Sequence, residues 1–383
     1  MKILFYISAF IIFYSYVLFP IFIFLVVKIK RSTRNEEVLV SKDDVLPSVA
    51  VVIAAYNEEA HITERIENLL ELDYPEDKIR FYIGSDGSTD NTNYLAKKFS
   101  DDSVRFFPFS QRRGKASVLN DLVDKTNEEI IVFSDANTNF EKESIKLMVS
   151  SFVDNVVGGV CGELRILSKA GNTNLDSLYW KYERFIKECE GGIGSLLGAN
   201  GAIYAIRKVL YEPIPADTVV DDFYIGMSIV KNGFRFDYLP QAIALEYEPE
   251  DQKDEFRRRV RIGMGNYQAF MRLKYFLNPF NSFKHTFVYI SHKVFRWFTP
   301  HLMLIMLITS LILMANVYFL IAFLLQLIMY IFTWCIIKTS SHKKLPKTVS
   351  LIVFFISMNV ALFMGFIKYI SQNVNPAWER TIR

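Results

Sequence analysis

The sequence predicts an α/β protein in which a domain with a mostly parallel sheet is joined to an α-helical transmembrane region. Two observations support this prediction. Between about residues 45 and 255, short apolar runs rich in β-branched residues alternate with segments of helical periodicity. Outside that region, long stretches of the chain carry no charged residue. The first pattern is typical of parallel sheets covered on both faces, and the second is typical of membrane spans.

The first uncharged stretch predicts a transmembrane helix within residues 1–30. Residues 3–27 are 25 consecutive uncharged positions, whereas roughly 20 apolar residues suffice to cross a bilayer. The alternative is a cleaved signal peptide, with an apolar core of about 7–15 residues and a small-residue cleavage site. This stretch has neither feature, so we expect an uncleaved span.

The C-terminal third predicts three more transmembrane helices within residues 298–370, at about 298–316, 317–337 and 348–367. Basic residues follow the first span and separate the last two, among them Lys28, Lys30, Lys343 and Lys344. Because short basic loops stay in the cytoplasm, four spans would leave residues 45–255 in the cytosol. We therefore expect an integral protein of a bacterial-type cytoplasmic membrane, with a tail at 371–383 on the outer side.

The amino-acid composition limits the classes of binding partner that we expect. The net charge is only +3, which argues against a nucleic-acid-binding role. The basic residues gather near the predicted spans, where anionic lipid favours them. Cys161, Cys189 and Cys335 have no metal-ligand spacing and suggest no disulfide framework.

The sequence pattern of residues 45–255 predicts alternating strands and helices. Strands are predicted at Val49–Ala54, Arg80–Gly84, Val104–Phe109 and Glu129–Phe133, with helices at about 60–72, 94–99 and 116–124. Polar residues follow the strands, at Asn57, Glu58, Asp86, Asp90, Asp135 and Asn137. Ligands of parallel sheets bind beyond the carboxyl ends of the strands, so we expect these side chains at one binding edge.

The fourth strand ends in Ser134-Asp135-Ala136-Asn137. Side chains two positions apart in extended chain share a face, so Asp135 and Asn137 can present two oxygens in one direction. Carboxylate and carbonyl oxygens suit Mg²⁺ or Mn²⁺. The alternative is an ordinary turn, in which Asp and Asn are common.

Seven segments, in order, resemble motifs of the family 2 glycosyltransferases and of their membrane-embedded branch, which includes cellulose, hyaluronan and poly-N-acetylglucosamine synthases. The segments are VAVVIAAYNE (49–58), SDGSTDNT (85–92), RGKASVLN (113–120), SDANT (134–138), GANGAIYAIRK (198–208), TVVDDF (218–223) and RRVRI (258–262). The resemblance implies the nucleotide-sugar-binding fold called GT-A. The chain departs from the branch at Asn137, where that branch has Asp, and at Ile262, where it has Trp. The second departure bears on acceptor handling and processivity.

The resemblance also implies roles for individual residues. Donor binding would involve Ala54, Tyr56, Glu58, Asp86, Lys115, Asp135, Arg258 and Arg261, with the metal on Asp135 and Asn137. Asp222 would be the catalytic base, and its neighbour Asp221 would raise its proton affinity. The acceptor would lie near Asn200, Gly201 and Asp221. Two simpler readings stay open: Asp221 as a helix N-cap, and the arginines as membrane-surface anchors.

These inferences lead to three hypotheses of function. The first is an inverting transferase that moves a sugar from a UDP-sugar to a growing polysaccharide, as a β-linked exopolysaccharide synthase. The second is the transfer of one sugar to a lipid-linked acceptor, such as a polyprenyl-linked glycan or a glycolipid. The third is a catalytically silent membrane scaffold, which the retention of Asp86, Asp135 and Asp222 argues against. The lipid bilayer is an expected partner, residues 256–297 an amphipathic interfacial segment, and oligomerisation or accessory subunits fit the small number of spans.

Overall fold

The structure, a computed structural model, describes residues 1–32, 46–167, 178–194, 196–247, 252–339 and 346–371. The predicted basic positions Lys343 and Lys344 and the tail beyond residue 371 lie outside the described residues. The chain divides into two compact units. The sheet unit contains Val26–Asp254, and the helical unit contains Met1–Leu25 and Glu255–Asn373.

The sheet unit is built on one eight-stranded mixed sheet. Its strands are β1 Val49–Ala55, β2 Ile79–Asp86, β3 Val104–Phe109, β4 Ile130–Asp135, β5 Asn139–Phe140, β6 Val157–Leu167, β7 Tyr204–Arg207 and β8 Arg235–Tyr247. They are ordered β3-β2-β1-β4-β7-β6-β8-β5. The pairs β3–β2, β2–β1 and β1–β4 are parallel, and β7 is antiparallel to both β4 and β6.

The α-helices of the described residues are α1 Lys2–Phe13, α2 Phe19–Ser32, α3 Ile62–Leu70, α4 Thr92–Lys97, α5 Lys115–Lys125, α6 Ser144–Ser150, α7 Leu178–Gly192, α8 Asp221–Lys231, α9 Gln252–Arg272, α10 Phe283–Val288, α11 Phe295–Trp297, α12 Thr299–Ile312, α13 Val317–Thr339 and α14 Lys347–Ile370. The four predicted strands and the three helices between them are all found, with ends within about two residues of the prediction. The predicted α/β class with its parallel strands is therefore confirmed, and β5 to β8 extend the sheet beyond it.

The core of the sheet unit explains why the apolar runs form strands. Every residue of β1 is buried, because β1 lies between β2 and β4 and is covered on both faces. The helix α3 packs its Ile62, Ile66 and Leu69 side chains into the same core. Fully burying each such side chain stabilises the fold by roughly 1.5–3 kcal/mol.

The described residues include three helices that are long and apolar enough to cross a membrane. They are Lys2–Lys30, Val317–Lys338 and Thr348–Ile370. The first runs through α1 and α2 and includes a π-helical turn at Tyr14–Leu18. These three agree in position with predicted spans, by length and composition.

The remaining predicted span, at about 298–316, differs from a simple straight helix. Its helix α12 has 14 residues, about 21 Å of length, against a hydrocarbon core of about 30 Å. It reaches spanning length only together with Phe283–Trp297, from which it is bent by 57°. Part of the segment predicted to be interfacial thus forms a bent pair with the predicted span.

Two glycines bring α9 and α14 unusually close within the helical unit. A Cβ atom on Gly365 would lie 2.6 Å from the backbone nitrogen of Met264, and one on Gly263 would lie 3.1 Å from the Cα atom of Leu362. Small residues permit such backbone approach between apolar helices. The contact fixes α9, which carries the arginine run, against the last helix.

Candidate active site

Strand register brings the predicted binding edge together. Ala54 of β1 pairs with Gly84 of β2 on one side and with Asp135 of β4 on the other. The ends of three parallel strands therefore meet, as the sequence predicted. Asp135 is half-buried at this edge, and Asn137 follows it in a partly exposed position.

Asp86 holds the loop that leads into α5. Its side chain is fully buried, and its two oxygens accept hydrogen bonds from the backbone N–H groups of Arg113 at 2.7 Å and Gly114 at 2.8 Å. Gly114 has a φ of +94°, which a side chain would strain. This arrangement makes Lys115 the first residue of α5.

Lys115 connects two acidic elements of the site. Its Nζ atom lies 2.7 Å from Oδ1 of Asp135 and 3.3 Å from Oδ2 of Asp221. The second distance is that of an ion pair without hydrogen-bond geometry. Burial by itself would lower the pKa of Lys115, but the carboxylates of Asp135 and Asp221 outweigh it and raise the pKa overall. The side chain of Lys115 is therefore in its positively charged form.

Asp222 faces the same centre from the first turn of α8. Its Oδ1 atom accepts a hydrogen bond from the backbone N–H of Phe223 at 2.8 Å. Burial, followed by the charge of Asp221, raises the pKa of Asp222 to about 6. The N-cap position of α8 is Val220, so the reading of Asp221 as an N-cap is wrong.

Gly201 marks the space between the acids. A Cβ atom on Gly201 would lie 3.3 Å from Oδ2 of Asp222 and 3.8 Å from Oδ2 of Asp135. Its neighbour Asn200 is held by two bonds: its backbone N–H donates to Sγ of Cys161 at 3.2 Å, and its Oδ1 accepts from Ala202 at 3.3 Å. The missing side chain at Gly201 leaves room beside two carboxylates.

The loop after β1 is tied to the loop after β2. Asn57 has a φ of +54°, and its Oδ1 accepts from the backbone N–H of Thr89 at 2.8 Å. The backbone N–H of Glu58 donates to Oγ1 of Thr92 at 2.8 Å. The Tyr56 ring lies under the guanidinium of Arg112, at 3.8 Å from centroid to Cζ. Tyr56 and Glu58 are thus fixed at the edge where Ala54 ends its strand.

A buried polar network beneath Asp135 was not predicted. Arg65 of α3 is 1% exposed and donates to Oγ of Ser134 at 2.9 Å and to Oδ1 of Asn68 at 2.7 Å. Thr138 donates to the buried Oε1 of Glu246 at 2.7 Å. Burial lowers the pKa of Arg65, and the charges of Asp135 and Glu246 oppose that change. One signal was available: position 65 falls on the apolar face set by Ile62, Ile66 and Leu69.

The donor set suits a cation shared with a substrate. Among the described residues, no three or more His, Cys, Asp or Glu side chains cluster in a way that could hold a metal. Asp135 and Asn137 offer one carboxylate and one amide oxygen, and Lys115 takes up Oδ1 of Asp135. Mg²⁺ usually binds through one or two carboxylates together with substrate phosphates and water. The residues therefore fit a metal bound jointly with a diphosphate.

Arg258 and Arg261 belong to the helical unit, on α9. Nη1 of Arg258 lies 3.6 Å from Oε2 of Glu255, and both arginines are partly exposed. Arg257 is exposed, whereas Arg259 pairs with Glu255 and lies over the Phe354 ring. The role of Arg258 and Arg261 with the donor stays a prediction.

The mixed sheet with a parallel half, and the lysine and acids at its carboxyl edge, define a GT-A-like protein. Residues 50–210 match the family described as Glycosyl transferase family 2, so the chain carries a family 2 glycosyltransferase domain.

Relatives agree with this assignment. The chain is 27% identical over 241 residues to the probable glycosyltransferase YdaM of Bacillus subtilis, a match covering 58% of this chain and 56% of YdaM. It is 25% identical over 252 residues to the poly-beta-1,6-N-acetyl-D-glucosamine synthase of Staphylococcus epidermidis, covering 64% of this chain and 61% of the synthase. The chain thus spans less than two thirds of the length of these relatives.

A solved structure shares the fold. The mannosyltransferase PcManGT from Pyrobaculum calidifontis, solved in complex with GDP-Man and Mn²⁺, superposes with a TM-score of 0.68. The match covers 96% of this chain and 99% of that one at 19% identity, so the likeness concerns the fold alone.

Proposed function

We propose that the protein transfers a sugar from a UDP-sugar, with inversion, to a growing polysaccharide at the cytosolic face of a bacterial-type cytoplasmic membrane, as a β-linked exopolysaccharide synthase. One observation carries the proposal. Lys115, Asp135, Asp221 and Asp222 converge beside Gly201, at the carboxyl edge of a sheet in a family 2 domain. The curated poly-N-acetylglucosamine synthase relative favours a polymer as the product.

The donor side requires stabilisation of the departing diphosphate. As the bond from the anomeric carbon to the diphosphate oxygen breaks, negative charge grows on the leaving group, and fixed cations aimed at it lower the barrier. Lys115 is held at the site in its charged form. Asp135 and Asn137 would hold Mg²⁺ or Mn²⁺, which supplies further positive charge to the diphosphate when bound.

The acceptor side requires a base. Asp222, with a pKa of about 6, is mostly ionised near pH 7 and still basic enough to take a proton. The acceptor hydroxyl oxygen would attack the anomeric carbon from the space beside Gly201. Its proton would pass to Asp222 as the diphosphate leaves on the opposite face. A single displacement of this kind converts an α-linked donor into a β-linked product.

Donor recognition would use the tied loops after β1 and β2. Tyr56 and Glu58 are fixed there with Ala54, and Asp86 orders the loop that presents Lys115. We assign Asp86 to donor binding chiefly through this loop, because its side chain is fully buried. Arg258 and Arg261 would contribute to the diphosphate, and Asn200 and Asp221 to the acceptor region.

The experiment that tests the proposal uses the full chain in detergent or lipid nanodiscs. The protein is incubated with UDP-glucose, UDP-N-acetylglucosamine or GDP-mannose, with Mn²⁺, Mg²⁺ or a chelator, and nucleotide release and product size are measured. We expect metal-dependent release of UDP from one UDP-sugar and a product ladder longer than several sugars. The Asp222→Asn variant is the inactive control, and it measures the background rate of nucleotide release.

Three results would each contradict a different part of the proposal. A single lipid-extractable product would favour the alternative, transfer of one sugar to a lipid-linked acceptor. Release from GDP-mannose alone would overturn the assignment of a UDP-sugar as the donor. No release from any nucleotide sugar, in protein that keeps its cooperative unfolding, would contradict transferase activity.

A further inference from the structure

The helical unit contains an apolar groove that the proposed chemistry does not use. Its volume is about 440 Å³, and it is formed by α1, by α10 and α11, and by the turn before α10. The wall is mainly aliphatic and aromatic, with Phe10, Ile11, Phe283, Phe287 and Ile290 among its residues. Small-molecule sites commonly have volumes of about 300–1,000 Å³.

The hydroxyl groups of the wall are already satisfied by protein partners. Tyr14 and Ser291 hydrogen-bond to each other across the groove at 2.9 Å. Oγ1 of Thr286 donates to the backbone carbonyl of Asn278 at 3.0 Å. A sugar or nucleotide would need free polar groups for recognition, so the groove suits a hydrocarbon chain.

Irregular helices form both sides of this groove. Tyr14 begins a π-helical turn, Tyr14–Leu18, and Ile290 and Ser291 belong to a second one, Tyr289–Val294. π-helix accounts for well under 1% of residues in proteins and occurs frequently at functional sites. The Tyr14–Ser291 bond joins these two turns, which is a second and independent sign of a built site.

Charge in this chain is strongly segregated, which the net charge of +3 conceals. The sequence contains no Asp or Glu between Glu255 and Glu379, and none before Glu36. Residues 1–25 and 255–373 together carry 15 Lys or Arg and a single acid. Lys284 and His285 lie between the groove residues Phe283 and Thr286 in the sequence. A surface of this kind attracts an anionic headgroup.

We propose that the groove holds one acyl chain of an anionic phospholipid of the bilayer, with the headgroup beside Lys284. The lipid is a resident ligand of the helical unit. The proposal depends on membrane insertion of the apolar helices, and is independent of the sugar donor and of the reaction. Its failure is therefore distinguishable from failure of the proposed function.

The first test is retention of lipid by the purified full chain. The protein is exchanged into mixed micelles with equal phosphatidylglycerol and phosphatidylcholine, and bound lipid is counted by native mass spectrometry. We expect one phosphatidylglycerol per chain, retained at least fivefold over phosphatidylcholine. Ile11→Trp places an indole in the groove and should reduce retention at least fivefold. Ile7→Trp, one turn earlier on α1 and not part of the groove, should retain the lipid.

The second test is thermal stability, since a ligand that binds only the native state raises the unfolding temperature. Phosphatidylglycerol should raise it saturably in wild type and in Ile7→Trp, and phosphatidylcholine should raise it less. Lys284→Gln should weaken the preference for phosphatidylglycerol, whereas Lys368→Gln, on α14, should not. Equal retention by the two Ile→Trp variants, no preference between the lipids, or a polyprenyl phosphate as the retained molecule would each overturn the proposal.

Discussion

The Nζ atom of Lys115 lies 2.7 Å from Oδ1 of Asp135, which ties the first turn of α5 to the end of β4. The same atom is 3.3 Å from Asp221, on a helix that begins 86 residues after Asp135 in the chain. One cation therefore holds together acids from two distant elements. The following predictions concern this arrangement.

Asp222→Asn should reduce turnover by about 10²–10⁴-fold, because the amide cannot accept the acceptor proton. Donor affinity should change little, since the substitution preserves shape. Turnover is measured by UDP release and affinity by calorimetry. The control is Asp73→Asn, which affects a surface pair with Lys146. Retention of more than a tenth of the wild-type rate would contradict the role of Asp222 as base.

The rate should fall with acidity below about pH 6. The pKa of Asp222 is about 6 in the native protein, so more acid conditions protonate the carboxyl and remove the base. Well below pH 6 we expect kcat/KM to drop tenfold per pH unit. A profile flat from pH 5 to pH 8, in protein that stays folded, would count against this assignment.

The carboxyl group of Asp222 should also make the unfolding free energy depend on pH, in the opposite direction to the rate. Its pKa rises from 3.8 to about 6 on folding, so between these values the native state binds more protons than the unfolded state. Its contribution to stability is therefore full below pH 3.8 and is lost as pH rises through 6. Asp222→Asn, which cannot ionise, should gain stability relative to wild type between pH 4.5 and 7.5, measured by urea unfolding. If the difference in unfolding free energy between Asp222→Asn and wild type does not change with pH, the raised pKa of Asp222 is contradicted.

Lys115→Met should lower both stability and activity. Removing the cation takes a compensating positive charge away from Asp135, Asp221 and Asp222, at a cost of about 3 kcal/mol in unfolding free energy. Turnover should fall about 10²–10³-fold through loss of a fixed cation at the leaving group. Mn²⁺ should stabilise this variant more than wild type. Lys146→Met, at an exposed ion pair, should cost below about 1 kcal/mol.

Gly201→Ala tests the space between the acids. The new methyl group would lie 3.3 Å from Oδ2 of Asp222, a contact tight enough to displace the carboxylate or the acceptor. We expect roughly a tenfold or greater loss of kcat/KM for the acceptor, with little change in unfolding temperature. Gly191→Ala, whose methyl group would lie 3.2 Å from the Cβ atom of Tyr238, is the control for an added methyl in the same unit. Equal activity in both variants would refute the placement of the acceptor beside Gly201.

Arg65→Met tests the buried network below Asp135. The substitution removes hydrogen bonds to Ser134 and Asn68 in a fully buried site, and we expect a loss of about 2–4 kcal/mol in unfolding free energy. Ser134→Ala removes one of the two partners of Arg65, together with the bond from Oγ of Ser134 to the carbonyl of Ala202, and should cost about 1–2 kcal/mol. Chemical denaturation of the full chain measures both. Equal and small effects would mean that the network is not needed for stability.

The sequence by itself determined the local elements and the positions of most site residues. A short continuous run rich in β-branched residues, such as Val49–Ala55, is typical of a buried strand, and acids that follow parallel strands lie at the edge of the sheet. The long uncharged helices are equally local, because their capacity to span a bilayer follows from length and composition alone.

Tertiary structure alone decided what depends on distant pairing. The antiparallel insertion of β7 between β4 and β6, the approach of Gly201 to Asp222 and Asp135, and the burial of Arg65 all join segments far apart in the chain. Hydrophobic periodicity reports which face of a segment is covered, but not which partner covers it. The bend before α12 and the satisfied hydroxyls of the apolar groove likewise arise from contacts between helices, which no local pattern encodes.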